Sequence, residues 1–149
     1  MIAKRKLTGV ACTIVALGGI WVLLAPRPNA LTLLRHYAFS QIPESLKMLE
    51  FERHGFREWT AFFHFKMAPE DFPKLLQEND PVLVDPVRLQ PDAPAFGSLA
   101  LQVFKKHLPD ADFAKSYQMY ILQRTNVVTV NYLLVNMKHS EGFVVIIRY

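Results

Sequence analysis

The stretch that most limits this chain is an uncharged apolar run over residues 7–25, LTGVACTIVALGGIWVLLA, opening at Leu7 and closing at Ala25. It follows Lys4, Arg5 and Lys6 directly and is stopped by Pro26-Arg27-Pro28. A helix over these residues would extend roughly 28 Å, about the thickness of a bilayer hydrocarbon core. A buried helix of a soluble domain rarely lacks a polar stripe over such a length. The run is therefore read as a transmembrane helix. Lys and Arg are retained on the cytoplasmic side, so the basic start should lie inside and the rest of the chain outside. The expected location is a bacterial inner membrane, single-pass, with the N-terminus cytoplasmic and the domain periplasmic or extracellular.

A cleaved signal peptide, giving a secreted protein, is the competing reading. The run is longer than the roughly 7–15 residues of a signal core, and no small-x-small site closes it. An uncleaved signal anchor is the better fit. Cys12, after Gly9-Val10-Ala11, stands in the middle of the run rather than at the end where a lipid-modified cysteine belongs, and reads as one more small apolar residue.

The net charge of +4 is a product of the anchor. Lys4, Arg5, Lys6 and Arg27 have no acidic partners before residue 31, which leaves 13 Lys and Arg against 13 Asp and Glu beyond it. A nucleic-acid binder needs a basic stripe in its folded part, and none is visible, so no nucleic-acid partner is expected. With Cys12 the only cysteine, the domain cannot carry an internal disulfide and must hold by packing. The expected organisation is a basic start over 1–6, the span over 7–25, a connector with a short helix over 26–45, and one α+β domain over 46–149.

In the connector, Leu31, Leu34, Tyr37 and Ala38 fall at helical spacing behind a candidate cap, Asn29. From residue 46 the apolar period changes to two, with Phe51, Trp59, Ala61, Phe63, Phe65 and Met67 on one face. This predicts a hairpin; setting His54 opposite Glu58 would pair Phe51 with Ala61 and Leu49 with Phe63. Pro69-Glu70-Asp71 starts a short helix carrying Phe72, Leu75 and Leu76. Residues 80–96 hold Pro81, Pro86, Pro91 and Pro94 and are expected to be extended and irregular. A second helix over 99–108, with Ser98 as cap, presents Leu101, Phe104 and Leu108. Three strand-like runs follow, over 117–124, 127–137 and 143–149, with Thr125-Asn126 a plausible tight turn. The predicted fold is α+β: a mainly antiparallel five-stranded sheet built as hairpin, two helices and three-stranded meander, with the helices on one face.

Recognisable chemistry is absent. His36, His54, His64, His107 and His139 fall in separate segments without helical metal-ligand spacing, and no nucleophile elbow or phosphate loop occurs. No catalytic residue, metal or cofactor is implied. Glu50, Glu52 and His64 share the mixed face of the hairpin, where a weak metal or acid/base site competes with the plain reading of solvated cross-strand charges. Phe62, Tyr120, Tyr132 and Leu134 would form an apolar partner surface if two short helices cover only one side of the sheet. The competing reading has residues 80–97 covering that side.

The layout, with a short basic start, one span and an α+β domain ending in strands, resembles that of small uncharacterised single-pass bacterial envelope proteins. The resemblance rests on layout over the whole chain and implies no functional residue. The function expected is a non-catalytic interaction module binding an envelope protein or a lipid-like ligand; the alternative is a small envelope hydrolase or metal-dependent enzyme. A reporter enzyme active only outside the cytoplasm, fused after Tyr149, should be active; a silent reporter on a well-expressed fusion would overturn the topology.

Overall fold

A computed structural model of the chain describes residues 29–77, 79–85, 95–123 and 129–149. The basic start, the apolar run and the candidate turn at Thr125-Asn126 lie outside them. Among the described residues, no helix is long and apolar enough to cross a membrane. The chain runs α1 (Ala30–Tyr37), β1 (Lys47–Gly55), β2 (Trp59–Lys66), a 3-10 turn (Pro69–Asp71), α2 (Phe72–Leu76), β3 (Asp80–Val84), α3 (Ala95–His107), α4 (Phe113–Ser116), β4 (Tyr117–Gln123), β5 (Thr129–Asn136) and β6 (Glu141–Arg148).

The α+β class is as predicted, but among the described residues the sheet has six strands, in the order β1-β2-β6-β5-β4-β3, with every neighbouring pair antiparallel. The added strand is β3, from the segment expected to be irregular. Pro81 is accommodated there because β3 is an edge strand, where a missing N–H can face outward without breaking a ladder.

The prediction that helices occupy one face is also corrected. Two core clusters lie on opposite faces of the sheet. The first joins Leu33, Leu34, Ala38 and Phe39 of α1 and its C-terminal end to Trp59, Ala61, Phe63, Phe65, Phe72, Leu75, Leu133, Val135, Val144 and Ile146. The second joins Ala100 and Phe104 of α3 to Phe62, Met119, Tyr132, Leu134, Phe143, Val145 and Ile147. The connector helix thus docks into the core. Asn29 caps it, its Oδ1 accepting from the Leu31 N–H at 3.0 Å. Its last carbonyl, of Tyr37, accepts from Nδ2 of the fully buried Asn131 on β5 at 2.6 Å.

Helix α3 begins at Ala95, so Gly97 and Ser98 lie within it and Ser98 is not its cap. Gly97 and Ala100 are buried with Phe104 at helical spacing. Small residues on that stripe let the helix axis approach the sheet while Phe104 fills the gap it leaves.

The hairpin register differs from expectation by two residues: Gly55 pairs with Trp59, Arg53 with Ala61 and Phe51 with Phe63. Gly55 takes φ 95°, a conformation that suits glycine, and a Cβ there would collide with the Glu58 carbonyl. The turn therefore closes at Gly55 rather than His54. A two-residue shift preserves side-chain parity, so the apolar face survives. A bulge between Met48 and Glu50 then places Met48 opposite Phe65 and leaves Leu49 half exposed. Phe65 in turn lies over Gly142 of β6, where an added Cβ would come within 2.5 Å of its ring.

Below the hairpin, the Ser45 hydroxyl donates to the Asp71 carboxylate and accepts from the Ala68 N–H at 3.2 Å. Lys74 Nζ also donates to Asp71, at 2.6 Å. Together these tie the entry of β1 to the start of α2. The Lys74 and Ser45 hydrogen bonds hold the Asp71 carboxyl below its ordinary 3.8. A carboxylate whose folded pKa is depressed contributes stability above its ordinary value and loses it as pH falls through the folded value. In a fragment of residues 29–149, Asp71→Asn should therefore lower stability at neutral pH and flatten its decline below about pH 4 in urea unfolding. An unchanged acid limb would show that the network contributes nothing. In the same fragment Phe63→Ala should destabilise by about 3–5 kcal/mol, because the side chain is fully buried.

Candidate functional site

The end of the sheet nearest β1 carries a row of polar side chains beside the α3 core. Glu50 and Glu52 alternate along β1 onto the α3 side, opposite His64 and Phe62 of β2. The last turn of α3 ends in Lys105, Lys106 and His107, cations that complement the helix C-terminus. His107 follows Phe104 at one helical turn and so points to the same face. Its ring stacks on Phe62 with centroids 3.7 Å apart and planes 9° apart, and its side chain is only 10% exposed.

This stacking sets the geometry of the cluster. His107 Nδ1 lies 3.3 Å from Glu50 Oε1, and Nε2 lies 3.7 Å from Glu52 Oε2. Glu52 Oε2 also meets His54 Nε2 at 3.1 Å and Lys106 Nζ at 3.2 Å. The His54 and Lys106 hydrogen bonds, with the charges of Lys106 and His107, hold the Glu52 carboxyl below its ordinary value against a smaller opposing effect of burial. Glu50, Glu52 and His107 each offer one ligand atom, all within 4.8 Å of one another.

Glu50, Glu52 and His64 do not form a triad. Although Glu50 and His64 are paired in register, His64 Nε2 turns to Glu141 Oε1 of β6, at 2.7 Å, and its ring stacks on Phe143. The pair is partly shielded, with side chains 21% and 29% exposed. Glu141 also adds to the effect of burial in raising the pKa of nearby Tyr117. His107 and Glu141 are the site residues that sequence reasoning missed. Glu141 falls at the first position of β6, between the strand-like runs expected over 127–137 and 143–149. His107 had one available signal, its position three residues after the buried Phe104. Which strands it reaches depends on how α3 crosses the sheet.

The expected apolar partner surface is not there. Phe62, Tyr132 and Leu134 are 2%, 2% and 1% exposed, covered by α3 rather than left open. Tyr120 points to the other face, where it packs on the α1 side and meets Phe72. Parity explains the separation: on paired β4 and β5, Tyr120 lies opposite Leu133, and Tyr132 lies opposite Ile121.

Open apolar side chains occur at both ends of the sheet: Phe56 in the β1–β2 turn and Leu49 on β1 at one, and a neighbouring pair on a single strand at the other. On β3, Val82 and Leu83 are 47% and 63% exposed, and among the described residues the strand pairs only with β4. The β1 edge is different. It is bulged, and it carries Lys47, Glu50, Glu52, Arg53 and His54. Both are devices that discourage another strand from pairing.

No protein-family model, curated protein or solved structure matches the chain.

Proposed function

We propose that this chain is a non-catalytic interaction module, tethered to a bacterial inner membrane by residues 7–25, which pairs an extended segment of an envelope protein onto the side of β3 that no described strand occupies. The observation that carries this reading is the asymmetry of the two sheet edges. A bulge and charge guard β1, whereas β3 presents Val82 and Leu83 with no charge between Asp80 and Asp85. An edge strand offers unpaired N–H and C=O groups in a fixed spacing, which an extended peptide satisfies, and apolar side chains beside it add selectivity. The expected surface of Phe62, Tyr132 and Leu134, on which the protein and lipid-like readings both rested, is buried beneath α3, and a strand edge fits an extended protein segment better than a lipid.

Tethering supports the same reading. Only four residues separate Ala25 from Ala30, where α1 begins, so the domain must stay within about 18 Å of the end of the apolar run. Such confinement raises the effective concentration of the domain for proteins in the same membrane. The enzyme alternative draws on the Glu50–Glu52–His107 cluster. The two carboxylates there are 44% and 36% exposed, and acid–base or oxyanion chemistry gains most where water is excluded.

A photocrosslinking residue at Leu83, in intact cells, should trap one adduct of defined size. Adding Val82→Lys should abolish the adduct and leave the melting temperature unchanged, since the side chain already faces solvent. Recovery of monomer alone, or an adduct indifferent to Val82→Lys, would sink the reading.

A further inference from the structure

At the opposite edge of the sheet, we propose that His107, Glu52 and His54 form a binding site for a divalent transition-metal cation of the zinc class, with Glu50 orienting the His107 ring. The inference begins from a mismatch around that ring. A neutral imidazole has one N–H and one lone pair, yet both ring nitrogens of His107 face carboxylates, Nδ1 towards Glu50 at 3.3 Å and Nε2 towards Glu52 at 3.7 Å. The closer contact suits an Nδ1–H donating to Glu50. Nε2 then faces Glu52 Oε2, and a cation between them, a proton or a metal ion in its place, would satisfy both.

The surroundings fit a metal there. Bond lengths of about 2.0–2.2 Å to nitrogen and oxygen place two tetrahedral ligands of one zinc ion about 3.4 Å apart. Glu52 Oε2 lies 3.7 Å from His107 Nε2 and 3.1 Å from His54 Nε2, on either side of that spacing. Two imidazoles and a carboxylate are the donor types zinc-class ions take. A carboxylate that holds the second N–H of a ligating histidine is the usual outer partner of such a ligand, and Glu50 stands in that position. The ring is held in place by its stack on Phe62. His54 stands outside the 4.8 Å cluster of Glu50, Glu52 and His107, and its side chain, 71% exposed, has to swing towards His107 to complete the site. Lys106, which also meets Glu52 Oε2, is 63% exposed and can move away.

A bound ion would bridge β1 to the last turn of α3, two elements that otherwise meet there through polar contacts. The proposal is independent of the partner edge at β3, since the two lie at opposite ends of the sheet. Its test uses the full, tag-free chain in detergent micelles, with Zn²⁺ in calorimetry and Co²⁺ as an optical probe. One equivalent should bind, raise the melting temperature and give a Co²⁺ visible spectrum of low coordination number. His54→Ala and Glu52→Gln should each weaken binding at least tenfold; the metal-free melting temperature should hold in His54→Ala and fall slightly in Glu52→Gln, whose carboxylate meets His54 and Lys106. Glu50→Gln should weaken it by about ten- to a hundredfold while keeping the Co²⁺ spectral shape, as expected of an orienting rather than a ligating group. Absence of binding at a hundredfold excess of Zn²⁺, or binding unchanged in the His54→Ala/Glu52→Gln double variant, would overturn the proposal. If His107 Nε2 instead carries a proton, its NMR titration curve will be the same with and without Zn²⁺, and that result also overturns it.

Discussion

Strands β5 and β6 lie at the centre of the sheet between two helical layers, and apart from their ends they have no solvated face. Leu133, Val135, Val144 and Ile146 face the α1 layer, while Tyr132, Leu134, Phe143, Val145 and Ile147 face α3. Antiparallel sheets commonly keep one face wet, and their strands then alternate between apolar and polar residues. These two central strands cannot. Away from the strand ends every position on them is apolar or glycine except Asn131, whose buried amide is placed where it can cap the carbonyl end of α1. The adjacent strands and both helical layers are arranged around that requirement. On one side α1 brings leucines and phenylalanine. On the other, α3 brings glycine and alanine so that its axis can lie close.

Burial of the centre pushes polarity and exposure to the two ends of the sheet, and the ends differ. At β1 the last turn of α3 descends onto Phe62, so the boundary of the apolar core is also where His107 meets Glu50 and Glu52. The ring serves both sides of that boundary: its face extends the core and its nitrogens enter the polar row. One strand over, His64 repeats the arrangement with its ring on Phe143 and its nitrogen on Glu141. Among the described residues no such collar forms at β3. Val82 and Leu83 remain open, and Pro81 is tolerated because the strand needs hydrogen bonds on one side only.

Much of the fold is legible in the residues. The period-two pattern of Trp59, Ala61, Phe63, Phe65 and Met67 gives the hairpin, and Pro69-Glu70-Asp71 gives the start of α2. The runs NYLLV and FVVII also hold a signal that alternation-based reading passes over. Unbroken apolar residues on short strands imply burial on both sides, and hence a second helical layer. The registers were less accessible. Whether the β1–β2 turn closes at His54 or Gly55 depends on a positive φ that only the assembled hairpin requires, and the Met48–Glu50 bulge follows from the same adjustment.

By itself, the sequence determined the apolar run and its flanking charge, the absence of any internal disulfide, the α+β class and the inward side of most elements. These are properties of single segments, governed by local periodicity and composition. Only the tertiary structure decided that α3 covers Phe62, Tyr132 and Leu134, that Tyr120 faces away from them, and that His107 rather than His64 joins Glu50 and Glu52. Each of those outcomes depends on strand parity and on where a helix crosses a sheet. Such relations join residues tens of positions apart, as Glu52 and His107 are, and spacing along the chain carries no trace of them.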